Sequence, residues 1–205
     1  MPAPTAGEQP RPYHHGNLRR ALLQAAVDQI LEGGPATLSL RDLARRAGVS
    51  HAAPAHHFGD KAGLLTAIAA EGFERLAATL DQAYRQTESF LEVGVAYVRF
   101  ATSYRAHFEV MFRPELYRPD DPEVARARQA ARSLLYGPLS TTTEPQSKPE
   151  PDPGQLRAAV AAWALVHGLA TLWLDRNLPP QLGDDPERIA REVAALLPLP
   201  PQPGQ

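Results

Sequence analysis

The chain has no cysteine among its 205 residues, which excludes disulfides, thiolate metal centres and any cysteine nucleophile. Lysine is nearly missing too. Only Lys61 and Lys148 stand among the 21 basic residues, so cationic chemistry rests on arginine. The alternating apolar–polar pattern of β-strands is absent. The opening MPAPTAGEQPRPYHHG has no apolar core of the kind an export signal needs, and a cytoplasmic location is expected. No Gly-x-Ser-x-Gly, His-Glu-x-x-His or phosphate-cradling glycine loop occurs, so neither an enzyme nor a cofactor is expected.

Hydrophobic residues make up 43% and charged residues 21%, ordinary values for a folded domain. The net charge of −2 hides a split. Between residues 10 and 61, seven Arg/Lys oppose four Asp/Glu; from residue 62 onward, fourteen oppose eighteen. Five of the seven histidines (His14, His15, His51, His56, His57) lie in the basic part. A basic head on an acidic body has the right sign for contact with a polyanion.

The apolar periodicity is helical from Gly16 onward and predicts an all-α fold of about nine helices. Residues 1–15, rich in proline and small polar residues, read as a flexible arm. Leu18, Leu22, Ala26 and Ile30 form the stripe of a first helix, ended by Gly33-Gly34-Pro35. Ser39 can cap a short second helix carrying Leu40, Leu43, Ala44 and Ala47, and Ser50 can cap a third. A fourth starts at Asp60 and runs long. Further helices are expected at about 89–104, 107–112, 122–135, 155–178 and 185–197, with Asp121 and Pro122 opening the third of these. The proline-rich stretch 137–154 reads as a mobile loop.

The informative block is SLRDLARRAGVSHAAPAHHFGDKAGLL, Ser39 to Leu65. Two short helices flank Gly48, which supplies a turn residue tolerant of positive φ, as a helix-turn-helix requires. Leu43, Ala44, Val49 and Phe58 supply its small core. Outside that core stand Arg41, Arg45, Arg46, Ser50, His51, Ala53, His56 and His57, with Lys61 just after. Such groups suit phosphate and base-edge contacts. For Arg46 the simpler expectation is a solvated helix face. His51, His56 and His57 do not suit a metal: positions 56 and 57 point about 100° apart on a helix, and no acid stands at ligand spacing.

In this block the sequence resembles the tetracycline-repressor-like (TetR) family. The matching segments are the helix leading to Gly33-Gly34, Leu38 to Ala44, Ala47 to Ser50, His57-Phe58 and Lys61 to Leu65, in the right order over about Gly16 to Ala77. Farther on, Trp163 to Ala170 resembles the Trp-x-x-x-His-Gly segment of one regulatory C-terminal type in that family. The resemblance implies a DNA-binding domain at 16–77 (motif 39–58) and a ligand-binding and dimerisation domain at 78–200. It further implies a homodimer on double-stranded operator DNA, most often a repressor released by a small effector. The DNA-facing candidates are Ser39, Arg41, Ser50, His51, Ala53, His56, His57 and Lys61. Of these, Ser50, His51, Ala53 and His56 are placed for base edges and Ser39, His57 and Lys61 for phosphates. Two residues depart from the pattern. Ala55 stands where the family often has a tyrosine, and Pro54 lies inside the recognition helix. The rival reading, a helical small-molecule-binding protein without DNA affinity, rests on Ala55 and the modest charge of the head.

Tyr97, Phe100, Tyr104, Phe108 and Phe112 recur every three or four residues. Such stripes usually pack as core; the alternative is the wall of an apolar effector pocket. With Trp163 and His167 they form the pocket candidates. The uncharged run Ala158–Leu174 nearly reaches the length of a membrane span. Its alanine content, its flanks Arg157 and Asp175, and indoles inside the run favour a helix buried between its own domain and a partner subunit.

Overall fold

The computed structural model describes residues 15–136 and 153–196. Residues 1–14 of the expected arm, 137–152 of the expected 137–154 loop and the C-terminal tail lie outside them; His15, Pro153 and Gly154 are helical instead of arm or loop. Among the described residues there are nine α-helices and no strand: α1 (His15–Gly33), α2 (Leu40–Arg46), α3 (Ala53–Phe58), α4 (Lys61–Thr87), α5 (Phe90–Ser103), α6 (Arg105–Met111), α7 (Pro122–Tyr136), α8 (Pro153–Leu174) and α9 (Pro186–Ala194). The chain divides into two compact units at Lys61. That division falls at the first residue of α4, whereas the family likeness of the sequence runs on along the same helix to Ala77.

In the first unit, Leu22, Ala26 and Ile30 of α1 are buried, as are Leu43, Ala44 and Phe58. The Ser39 side chain caps α2 by accepting from the Asp42 amide at 3.4 Å, as its position before an apolar-periodic run predicts. Gly48 adopts φ +65° in the turn that follows. That left-handed conformation costs an L-residue with a Cβ about 1–2 kcal/mol.

The third helix corrects an expectation. Ser50 does not cap it: α3 begins at Ala53 after Ala52, with no side-chain cap. The Ser50 carbonyl instead accepts from the Ala53 amide at 3.0 Å, closing a turn ahead of the helix. Proline explains the shift. Its fixed φ and missing amide hydrogen suit a first turn, where amides have no intrahelical acceptor. The helix therefore starts one residue before Pro54, and Pro54 introduces no kink.

The centre of the second unit is α5. Val93, Val95, Ala96, Tyr97, Val98, Phe100 and Ala101 are all buried, and α6, α8 and α9 pack against it, with α7 against α8. A helix apolar on most faces belongs in the middle of such a bundle. Gly94 permits a close crossing, since a Cβ there would meet Val166 Cγ1 at 3.2 Å. The charged edge of α9 is clipped to α5 by Arg191, whose guanidinium donates to both Glu92 oxygens at 2.7 and 2.9 Å.

By length and composition α8 could cross a membrane, and among the described residues it is the one helix that could. Ala159, Ala162, Val166, Leu169 and Ala170 are buried, while Leu156, Val160 and Leu172 are 41, 44 and 45% exposed. These three share a stripe with Ala164 and Gly168 at a spacing of four. The helix ends at Leu174, four residues short of expectation. Arg176 takes φ 56°, and the amides of Arg176 and Asn177 donate back to the carbonyls of Trp173 and Leu172. This is a Schellman stop built on arginine instead of the usual glycine.

Candidate nucleic-acid interface and ligand cavity

Between α2 and α3 the exposed side chains are those of Arg41, Arg45, Arg46, Ser50, His51, Ala52, Ala55 and His56. His57 and Ala53 are partly covered. The core residues Leu43, Ala44 and Phe58 lie on the opposite side of these two short helices, so polar groups are left facing outward. Ser50 and His51 belong to the turn ahead of α3, not to its first helical turn. The His56 and His57 rings meet edge-on with centroids 5.5 Å apart. No group of three metal-binding side chains gathers among the described residues.

Several members of this surface are held from behind. Lys61 Nζ donates to the Ala36 carbonyl at 2.8 Å, which fixes its stem against the turn before α2. The ammonium keeps donors to spare, since it carries three. The Ser39 amide donates to Oε1 of Gln29 at 3.2 Å. Gln29 is buried, at 7% exposure. A polar residue on the buried face of α1 was the signal in the sequence for this tie, and it was missed there. Arg46 is also more than a solvated cation. It makes a two-pronged bond to the Glu32 carboxylate at 2.8 and 2.6 Å, joining α2 to α1. That bond holds the Glu32 carboxyl below its usual range. Arg45 reaches Asp42 at 3.5 Å. Arg41 and His51 face outward with neither kind of tie.

The second unit contains a cavity of about 210 Å³. Phe73 and Leu76 of α4, Met111 and Phe112, and Leu135 and Trp163 form its apolar wall. Its polar groups are Tyr117, Tyr136, Arg128 and Arg132. Of the seven aromatic candidates, Phe112 and Trp163 line this cavity. Tyr97, Phe100 and Phe108 are instead buried core, at 0, 1 and 5% exposure. Tyr104 packs under the Arg75 guanidinium, 5.1 Å from its ring centre. Helical spacing alone could not separate the two outcomes, because core and pocket wall share one stripe until neighbouring helices are placed.

His167 occupies a junction behind the cavity. Its Nδ1 lies 2.8 Å from the Tyr97 hydroxyl, and its ring is 4.6 Å from that of Phe112 and 5.9 Å from that of Trp163, centre to centre. Burial lowers the pKa of His167, and burial raises that of Tyr97. Both groups are therefore neutral near pH 7, and they share one hydrogen bond whose direction follows the imidazole tautomer. Among the described residues the buried indole Nε1 of Trp163 has no acceptor within hydrogen-bond distance.

A second polar cluster ties α4 to α6. His107 is buried, and its Nε2 lies 3.8 Å from the Glu71 carboxylate. Arg75 Nε donates to the same carboxylate at 2.9 Å. The imidazole of His107, followed by Arg75, draws the Glu71 carboxyl down to about 2 against its partial burial. Gly72 lets the helices approach: a Cβ there would stand 3.1 Å from His107 Cβ.

Residues 22–68 match the family model described as bacterial regulatory proteins, tetR family. Residues 90–197 match the tetracyclin repressor-like C-terminal domain. An HTH-type transcriptional repressor of Mycobacterium tuberculosis is 38% identical over 65 residues, a match spanning 32% of this chain and 35% of that relative. The likeness to these curated relatives thus covers about a third of their length. Among solved structures, a protein of unknown function from Rhodococcus sp. RHA1 is 35% identical with a TM-score of 0.70, covering 91% of this chain and 96% of that one. The regulator LfrR of Mycobacterium smegmatis, solved in complex with proflavine, shares the fold at 20% identity and a TM-score of 0.57, over 88% and 93% of the two chains.

Proposed function

Because the chain belongs to the tetR family of bacterial regulatory proteins, we propose that it acts as a dimeric transcription repressor of operator DNA, released by a small, largely apolar effector. One observation carries the DNA reading. Two short helices meet at a positive-φ Gly48, and the side opposite their shared core presents Arg41, Ser50, His51 and His56. Two such units in a dimer would place their α3 helices in successive major grooves, about 34–36 Å apart on a near-palindromic site. Ser50, His51, Ala53 and His56 then reach base edges; Ser39, His57 and Lys61 hold phosphates. The exposed α8 stripe of Leu156, Val160 and Leu172 supports a homodimer through α8 and α9, since two such pairs make a four-helix bundle. The apolar cavity supports the effector reading. A regulator of this kind works in the cytoplasm.

The test is retardation of DNA from upstream of the protein's own gene, measured against salt. Specific, salt-sensitive binding of a dimer is the expected outcome. Binding that ignores sequence, or none at all, would favour the rival reading of a helical ligand-binding protein without DNA affinity.

A further inference from the structure

Among the described residues, the cavity wall carries two positive charges and no negative one. Arg128 and Arg132 both line it, and no aspartate or glutamate does. They stand one helical turn apart on α7, a spacing at which like charges repel. Other arginines of the bundle have carboxylate partners: Arg126, on the same helix, donates to Glu74 at 2.9 Å, and Arg191 grips Glu92. Arg128 does not. Its Nη2 donates to two neutral oxygens, the Tyr117 hydroxyl at 3.2 Å and the Pro119 carbonyl at 3.4 Å. Its guanidinium also lies over the Phe73 ring, 5.5 Å from the centre. Those contacts orient the half-buried fork without neutralising it. Arg132 makes no ion pair or hydrogen bond within the described residues, and it is exposed at the cavity mouth. A guanidinium held in an apolar setting without a counter-charge is costly, and a carboxylate received on its fork is the efficient remedy.

We propose that the ligand of this cavity is a small amphipathic carboxylate. Its apolar body lies among Phe73, Leu76, Phe112 and Trp163, and its carboxylate meets Arg128 and Arg132. The size agrees. About 210 Å³ corresponds to about seven waters of ~30 Å³ each, enough for an aryl or medium-chain acid. The inference rests on the reading of this cavity as the effector site, but it concerns binding, which is measurable without DNA.

The experiment titrates the 205-residue chain by calorimetry with three pairs of probes: octanoate and octanol, 4-phenylbutyrate and 4-phenylbutanol, and octanoate and octylammonium. At least one carboxylate should bind tenfold or more tightly than its neutral partner, and octylammonium should bind worst. Arg132→Gln, at an exposed position that folding does not need, should remove most of the carboxylate preference, and Arg132→Lys should keep part of it. Filling the cavity with Ala131→Leu should abolish binding of every probe. The proposal is overturned if the alcohols or the amine bind as well as the acids. It is equally overturned if Arg132→Gln leaves the preference unchanged, or if no acid binds. A parallel retardation assay separates the two ideas. An acid that binds through Arg132 yet fails to release operator DNA sustains the ligand class and sinks the effector role.

Discussion

Tyr97 and His167 lie 70 positions apart in the sequence and meet at 2.8 Å, joining α5 to α8 beside the cavity. Burial sets the protonation of both groups. Burial holds the imidazole below its usual pKa, so the folded protein resists a proton that the unfolded chain accepts. Above about pH 6.5 His167 is neutral in both states, and its contribution is complete. As the pH falls below that value and through the lowered folded pKa, the unfolded state gains protons first and stability is lost. Urea unfolding between pH 7.5 and 5.5 should show this decline, and His167→Gln should flatten it. An unchanged slope in the variant would refute the assignment. Tyr97→Phe should cost about 1 kcal/mol at pH 7.5, the usual worth of one such bond.

Glu71 acts lower on the pH scale. Its carboxyl is drawn from 4.5 down to about 2 by His107 and Arg75. It therefore contributes stability that is present above about pH 4.5 and lost as the pH falls toward 2. Glu71→Gln should remove part of the acid limb of the stability profile while leaving the loss near pH 6 in place. If the variant titrates like the parent below pH 4.5, the pairing of Glu71 with His107 and Arg75 is not what stabilises the fold.

Gly48 must hold φ +65°, so Gly48→Ala should destabilise the first unit by about 1–2 kcal/mol. No atom stands within 4 Å of the added Cβ, so the cost is conformational and not steric. Gly48→Asn should recover part of it, because asparagine tolerates the left-handed region better than alanine. Chemical denaturation that ranks alanine equal to glycine would contradict this account.

Positioning and reading of DNA should separate by mutation. Lys61 is anchored through Ala36, so Lys61→Ala should weaken binding to all operator variants about equally and lower the salt slope by about one per subunit. Substitutions at His51 or Ala53 should instead change the preferred operator, with mismatches costing about 1–3 kcal/mol each. Binding profiles in which Lys61→Ala alters base preference, while His51 and Ala53 do not, would reverse these roles.

Dimerisation should depend on the exposed stripe of α8. Leu156→Glu combined with Leu172→Glu places two charges where the parent exposes apolar surface at 41 and 45%. Sedimentation should shift from dimer to monomer at micromolar concentration, with the helical circular dichroism spectrum unchanged. A dimer that survives both changes would move the interface elsewhere.

What the sequence determined by itself was local. Apolar periodicity specifies helices because each repeats its buried face every three or four residues. Ser39 and Asp121 mark helix starts because their side chains reach their own first-turn amides, and both do so here; Ser89 and Asp185 cap their helices in the same way, a role not read from the sequence. Gly48 was legible for the same reason, since a positive φ is a property of one residue. Pro54 shows the limit: two local signals, a serine cap and a proline at the first turn, competed, and the proline prevailed. Only the tertiary structure decided which aromatic residues became core and which lined the cavity. Tyr97, Phe100 and Phe112 share one apolar period in the sequence, and their fates depend on where the helices pass. The pairing of Arg46 with Glu32, of Gln29 with Ser39 and of Tyr97 with His167 was decided there as well. So was the pairing of Arg128 with neutral oxygens among the described residues, because a charge finds its partner only when distant segments are brought together.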